Sequence, residues 1–135
     1  MKTSTIRQTV SFPAPPGRVY QVLMTSRLHE AFTGAPARIS AKIGGSIMAW
    51  GGYIHGRNVE LIPGKRIVQS WVPSEENWPP GHESTVKFEF SAVGKGTRLR
   101  FTHSQVPADH AGHLTKGWYE SYWNPLKKYL RGNPG

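Results

Sequence analysis

The sequence contains no cysteine among its 135 residues. This absence excludes disulfides, thiolate nucleophiles and cysteine-based zinc sites. Long apolar runs are also missing, since none reaches the roughly 18 residues that a membrane-spanning helix needs. Residues 1–7 lack the apolar core of a secretory signal. We therefore expect one cytoplasmic domain over residues 1–135, long enough to bury a core of its own.

Acidic residues are scarce, with 8 Asp and Glu against 17 Lys and Arg and a net charge of +9. A charge of this sign would attract nucleic acid or an acidic protein surface. The basic residues are dispersed and form no tail or arm, so nucleic acid is not expected as a partner. An acidic protein partner remains open.

The spacing of apolar residues divides the chain into stretches typical of strands and stretches typical of helices. Residues 3–12 alternate between apolar and polar side chains and predict a half-buried strand. Prolines and a serine then precede two short stretches with helical spacing, the first through Val19, Val22 and Leu23. The second runs through Leu28, Ala31 and Phe32. Short segments separated by glycines follow and predict antiparallel strands at about 37–42, 46–50, 53–62, 65–72, 82–91 and 97–103.

The last quarter of the chain predicts one long helix over residues 110–130. Its apolar stripe has a spacing of four and consists of Leu114, Trp118, Tyr122, Leu126 and Leu130. Proline within a helix removes a hydrogen bond and clashes with the carbonyl four residues earlier. Pro125 therefore predicts a bend or a weakened turn near residue 124.

The order of elements and several local motifs resemble a known family. The motifs are Val19-Tyr20, Gly44-Gly45, Gly56, Pro63, the strand that contains Trp71, Gly96-Thr97 and Gly117-Trp118. Over residues 3–130 the chain is similar to the family named for the C-terminal domain of the activator of Hsp90 ATPase, part of the START-like (Bet v 1-like) helix-grip superfamily. This resemblance implies an α+β fold. A curved antiparallel sheet of about six to seven strands would surround a long C-terminal helix, with two short helices after the first strand.

The resemblance also implies a cavity between the sheet and the C-terminal helix. In the superfamily such cavities often accept an apolar or amphipathic small molecule. Aromatic candidates for the cavity wall are Phe32, Trp71, Phe101, Trp118 and Tyr122, which could stack against a flat ligand.

Polar candidates for the cavity wall follow from the alternation of side chains along each strand, because every second residue faces the same side of the sheet. If Val59 and Leu61 face inward, Tyr53, His55 and Arg57 share their face. On the last strand, His103 continues the inward alternation and is a further candidate.

Catalytic and metal sites are not expected from these residues. Neither His55 nor His103 has an evident carboxylate to orient it, which weighs against hydrolysis. His110 and His113 are three residues apart near a helix start and could share a metal ion with His103 or Asp109, but no supporting carboxylate is evident. We therefore expect no metal, no cofactor and no catalytic residue.

Three functions remain open, and the sequence is compatible with a monomer or a homodimer. The first is non-enzymatic binding of a small hydrophobic or amphipathic ligand, with a stress response as one context. The second is a chaperone-linked protein-interaction module. The third is a cyclase-like enzyme that uses Tyr53, His55 or Arg57, and the sequence leans against it.

Overall fold

The structure is a computed structural model that describes all 135 residues. Its helices and strands are β1 (Thr3–Phe12), α1 (Pro16–Met24), α2 (Ser26–Thr33), β2 (Arg38–Ile39), β3 (Ser46–Ala49), β4 (Ile54–Ile62), β5 (Arg66–Pro73), β6 (Ser84–Val93), β7 (Gly96–Pro107), α3 (Ala111–Trp118) and α4 (Asn124–Gly132). The predicted α+β class, the two short helices after the first strand and the strand count are confirmed. None of the helices combines the length and the apolar composition needed to cross a membrane.

The seven strands form one antiparallel sheet in the order β1-β7-β6-β5-β4-β3-β2. Consecutive strands are neighbours from β2 to β7, as the glycine-containing turns predict. The first strand instead pairs with the last, where Val10 lies opposite Leu99. One face of the sheet is covered by helices, which explains the period-two burial of β1 and β6.

Strand β4 contains a β-bulge that changes which residues face the core. Its register with β5 shifts between Asn58 and Glu60. Asn58 is buried, whereas Val59 is 52% exposed, and Leu61 packs against the core only beyond the bulge. The prediction that His55 and Arg57 face inward is therefore wrong, because one extra residue reverses the alternation before it.

The C-terminal helix, residues 111–132, consists of α3, a π-helical turn at Tyr119–Trp123 and α4. Within this turn the Asn124 N–H donates to the Tyr119 carbonyl, five residues earlier. Pro125 follows immediately and has no N–H to donate. The predicted long helix and its irregular turn before Pro125 are confirmed.

Candidate functional site

A cavity of about 430 Å³ lies between the sheet and the C-terminal helix. This volume falls in the range of small-molecule sites in proteins, about 300–1,000 Å³. Strand β5 and the turn before β4 form one wall, and α3 with the π-helical turn forms the other. The lining residues are mostly hydrophobic and comprise Trp50, Tyr53, Ile54, Trp71, Glu75, His113, Leu114, Gly117, Trp118, Ser121 and Tyr122.

The apolar wall is a group of aromatic rings. The centroid of Trp118 lies 5.2 Å from that of Trp71 and 4.9 Å from that of Tyr122. The ring of Trp50 lies edge-on to Tyr122 at 6.2 Å. Because aromatic faces favour offset and edge contacts with other rings, this wall suits a flat apolar group.

His103 holds the Trp118 ring in position from behind. The Trp118 Nε1–H donates to His103 Nδ1 at 3.1 Å, and His103 Nε2 lies 2.8 Å from the Ser84 hydroxyl, which donates to the Trp71 carbonyl. Burial lowers the pKa of His103 to about 3, while the nearby Glu75 carboxylate acts weakly in the opposite direction. His103 is thus a neutral, fully hydrogen-bonded histidine that links both aromatic walls.

Tyr122 is held in a similar way on the other side. Its hydroxyl lies 3.2 Å from His29 Nε2, and Phe32 packs against its ring at a centroid distance of 5.8 Å. Burial lowers the pKa of His29 to about 4 and raises the pKa of Tyr122. Both groups are therefore neutral over the physiological range.

A polar cluster forms one end of the cavity, centred on the Glu75 carboxylate. Its Oε1 lies 2.7 Å from His110 Nδ1 and 2.8 Å from His113 Nε2, and the Tyr53 hydroxyl donates to Oε2 at 3.1 Å. His110 Nε2 lies 3.3 Å from the Asn77 carbonyl. Burial raises the pKa of Glu75, but the hydrogen bonds to the two histidines and Tyr53 outweigh burial and hold the pKa below its ordinary value.

The structure places the predicted cavity residues in three groups. Tyr53, Trp71, Trp118 and Tyr122 line the cavity. Phe32, Phe101 and His103 are buried behind the wall and support it. His55 and Arg57 lie on the outer face of β4, where Arg57 pairs with Glu83 at 3.1 Å. The role of the lining residues in ligand binding stays a prediction.

Sequence reasoning missed Glu75 and Trp50. Glu75 belongs to the loop after β5, and Trp50 begins a tight turn with a positive φ of 55°. Glu75 lies outside every predicted strand, and Trp50, the last residue of the predicted strand 46–50, begins the turn instead, so periodicity could not give the direction of either side chain. The His110 and His113 pair was visible, but its carboxylate partner lies 35 residues earlier in the sequence than His110. His103, the third ligand considered, is instead bound to Ser84 and Trp118.

Comparison with curated proteins shows clear relatives. The chain is 32% identical over 124 residues to the human activator of 90 kDa heat shock protein ATPase homolog 1, a match that covers 92% of this chain and 36% of the human protein. It is 31% identical over 126 residues to the homologue from Dictyostelium discoideum, covering 93% of this chain and 32% of that protein. The chain thus spans about a third of the length of these relatives.

Solved structures share the fold at lower sequence identity. An HSP90 activator from Plasmodium falciparum superposes with a TM-score of 0.86 at 22% identity, with 94% of this chain and 96% of that one covered. The Aha1 dimer from Colwellia psychrerythraea gives a TM-score of 0.81 at 23% identity, with coverages of 98% and 99%.

A model of one protein family matches most of the chain. The model of the activator of Hsp90 ATPase homolog 1-like proteins matches residues 13–131, which include both short helices, six of the seven strands and nearly all of the C-terminal helix. The predicted resemblance is confirmed. The chain belongs to the family of activator of Hsp90 ATPase homolog 1-like proteins.

Proposed function

We propose that this domain binds a small hydrophobic or amphipathic molecule in the cavity between the sheet and the C-terminal helix. The observation that carries this proposal is the cavity of about 430 Å³ with an aromatic wall and polar groups at one end. Large apolar pockets with a few convergent polar groups are the usual form of small-molecule sites.

The distribution of polar groups gives the ligand an orientation. Its apolar part lies against Trp71 and Trp118, where stacking adds to the burial of apolar area. Its polar end reaches Tyr53, Glu75 and His113, which line the same cavity. A hydrogen-bond donor such as a hydroxyl or amine suits the Glu75 carboxylate.

Two glycines of α3 provide a matched test of this proposal. Gly117 lines the cavity, whereas Gly112 does not, and a Cβ added at either position meets no atom within 4 Å. In Gly117→Leu the new side chain projects into the cavity, and in Gly112→Leu it projects elsewhere on the same helix. Both changes favour the helix, since glycine is a poor helix former.

The probe is N-phenyl-1-naphthylamine, a neutral apolar molecule with one N–H donor, titrated while its own emission and tryptophan emission are followed. We expect saturable binding by the natural chain, at least tenfold weaker binding by Gly117→Leu, and unchanged binding by Gly112→Leu. Equal affinities of the three proteins, or no saturable binding, would refute the cavity as the ligand site.

A second candidate function is binding to an Hsp90-type chaperone, which would agree with the expected cytoplasmic location. Membership of the activator family and the net charge of +9 favour it. On the outer face of β7, Arg98 and Arg100 are exposed and make no salt bridge, and Arg7 of β1 is exposed opposite Thr102 of β7. This group of arginines would complement an acidic surface.

Charge-reversal variants distinguish binding through a specific surface of the domain from attraction by its overall net charge. Arg98→Glu with Arg100→Glu changes the charge by the same amount as Arg27→Glu with Arg131→Glu, a control pair of exposed arginines elsewhere on the surface. In pull-downs with a purified Hsp90 at low salt, we expect at least tenfold less binding by the first variant and little change in the control. Equal losses in both variants, or binding that is insensitive to salt, would count against this surface.

A further inference from the structure

We propose that Glu75, His110 and His113 form a binding site for a divalent transition-metal ion of the Zn²⁺ type, at the polar end of the cavity. This ion site is independent of the proposed ligand, because it rests only on the three side chains. Their donor atoms all lie within 4.8 Å of one another. Two imidazole nitrogens and one carboxylate oxygen are the protein donors typical of zinc sites with open positions.

The distances between the donor atoms need only a small adjustment. Donors around a tetrahedral zinc ion lie about 3.3 Å apart, since each is about 2.0 Å from the metal. In the structure Glu75 Oε1 is 2.7 Å from His110 Nδ1 and 2.8 Å from His113 Nε2. These two separations would grow by roughly half an ångström, and the two imidazole nitrogens, which lie within 4.8 Å of each other, would come to the same spacing around one ion.

Neighbouring groups orient two of the ligands. His110 Nε2 faces the Asn77 carbonyl, which favours a proton on Nε2. Nδ1 donates its proton to Glu75 in the ion-free site, and an ion would displace that proton and take the Nδ1 lone pair. The Tyr53 hydroxyl donates to Glu75 Oε2 and leaves Oε1 as the inward oxygen. Such outer hydrogen bonds fix the tautomer and orientation of metal ligands.

Packing restricts the same ligands further. The His110 side chain is only 6% exposed, and its ring lies edge-on to Trp78 at 5.2 Å. Glu75 is also largely enclosed, at 11% exposure, whereas His113 is accessible at 56%. Two ligands are thus held rigidly, and the accessible third provides the route by which an ion enters.

The location of the site indicates two effects of a bound ion, one on the structure and one on the chemistry of the cavity. His110 and His113 flank the start of α3, whereas Glu75 lies on the loop between β5 and β6. An ion would connect this loop to the helix. Because Glu75 and His113 also line the cavity, its remaining coordination positions would be open to molecules there.

The experiment measures metal uptake by the whole chain after removal of metal with a chelator. Zn²⁺ is titrated by calorimetry and Co²⁺ by visible absorption, whose intensity reports the coordination geometry. We expect one equivalent bound with a Kd of micromolar or below. Affinity should fall at least tenfold in Glu75→Gln and in His113→Ala, and it should be unchanged in His55→Ala.

The variants distinguish a built site from adventitious histidine binding. His55 is an exposed histidine on the outer face of β4, outside the cluster. His113→Ala removes an exposed side chain in the first turn of a helix, so it should retain the fold, which circular dichroism verifies. No uptake below millimolar Zn²⁺, equal loss in His55→Ala, or full uptake by Glu75→Gln and His113→Ala would show a hydrogen-bonded cluster only and overturn the proposal.

Discussion

At the scale of single residues, His29 and His103 are buried as neutral imidazoles in the support of the aromatic wall. Burial lowers their pKa values to about 4 and about 3. In the unfolded chain both would titrate near 6.5. The folded state therefore binds fewer protons than the unfolded state between these values.

This difference predicts acid sensitivity with a definite sign. Stability is fully present above pH 6.5 and falls as the pH drops from 6.5 toward 4, by about 1.4 kcal/mol per pH unit for each histidine. At pH 5 the two together should cost roughly 4 kcal/mol. His110 offsets part of this cost, because burial lowers its pKa less than the hydrogen bond to Glu75 raises it, so that it adds stability as the pH falls. Urea unfolding at pH 7.5, 6 and 5 measures this slope, and His103→Gln should reduce it by about half. The same slope in His103→Gln as in the natural chain would disprove the prediction.

Gly56 is a second position where one residue decides the local geometry. A Cβ at this position would overlap the Ser70 carbonyl, where β4 lies close to β5. We expect Gly56→Ala to lower the free energy of unfolding by about 1–3 kcal/mol, because backbone must move. Gly17→Ala in α1 is the control, since its Cβ meets no atom within 4 Å, and it should stabilise by up to about 1 kcal/mol. Chemical denaturation of both variants gives the comparison, and equal effects would contradict it.

At the scale of elements, the π-helical turn determines which side chains the C-terminal helix buries. In a regular α-helix Trp123 would lie about 140° around the axis from Trp118, because each residue turns by about 100°. Trp123 is nevertheless fully buried, in contact with Phe12 and Phe101. The turn contains one residue more than an α-helical turn and brings Trp123 into the buried stripe.

A pair of deletions tests this account. Removing Glu120, an exposed residue of the turn, should leave a regular helix with Trp118, Trp123 and Leu126 on one face. Each deletion variant also carries Pro125→Ala, because a proline at this position would clash in the regular helix that removal of Glu120 creates. Deletion of the exposed Lys128 in the same background should instead rotate Leu130 out of the core.

The two deletions should differ clearly in stability. We expect the Glu120 deletion to stay within about 1 kcal/mol of Pro125→Ala, whereas the Lys128 deletion should cost about 2–5 kcal/mol, as for loss of a buried leucine. Thermal and urea unfolding measure both. Equal losses would mean that the extra residue is not what positions Trp123.

Periodicity explains which parts of the fold and site could be predicted. The alternation of β6 and the stripe from Leu114 to Leu130 are local patterns, and the structure confirms both. The bulge in β4 has no local pattern, so the faces of His55 and Arg57 were predicted wrongly. Glu75 could not be found because its partners lie far along the chain. Sequence pattern therefore gives the aromatic wall, whereas the polar end depends on loop geometry.

At the scale of the whole molecule, the first strand is bound to the last helix. Gln8 is buried, and its Oε1 accepts the Trp123 Nε1–H at 2.7 Å while its Nε2 donates to the Thr115 carbonyl at 2.8 Å. One glutamine thus joins β1 both to α3 and to the π-helical turn. Together with the pairing of β1 and β7, it makes the two ends of the chain depend on each other.

Because of these two hydrogen bonds, we expect Gln8→Ala to lower the free energy of unfolding substantially. The change leaves the buried Trp123 N–H without an acceptor, and we expect a loss of about 2–3 kcal/mol. Thr9→Ala, on the outward face of the same strand, is the control and should cost less than about 1 kcal/mol. In a double-mutant cycle with Trp123→Phe, measured by urea unfolding, the coupling energy should exceed about 1 kcal/mol. Additive effects would exclude the link.

The extra residue in the C-terminal helix also affects how this chain is compared with others. Insertions usually fall in loops, where alignment gaps cost little. Here the chain has one additional residue inside a helix, near Glu120, while the side chains on both sides keep their contacts with the sheet. An alignment with a relative whose helix is regular must open a one-residue gap at this point. Without that gap, Leu126 and Leu130 would be matched to the wrong positions, and the buried residues of the last helix would be misidentified.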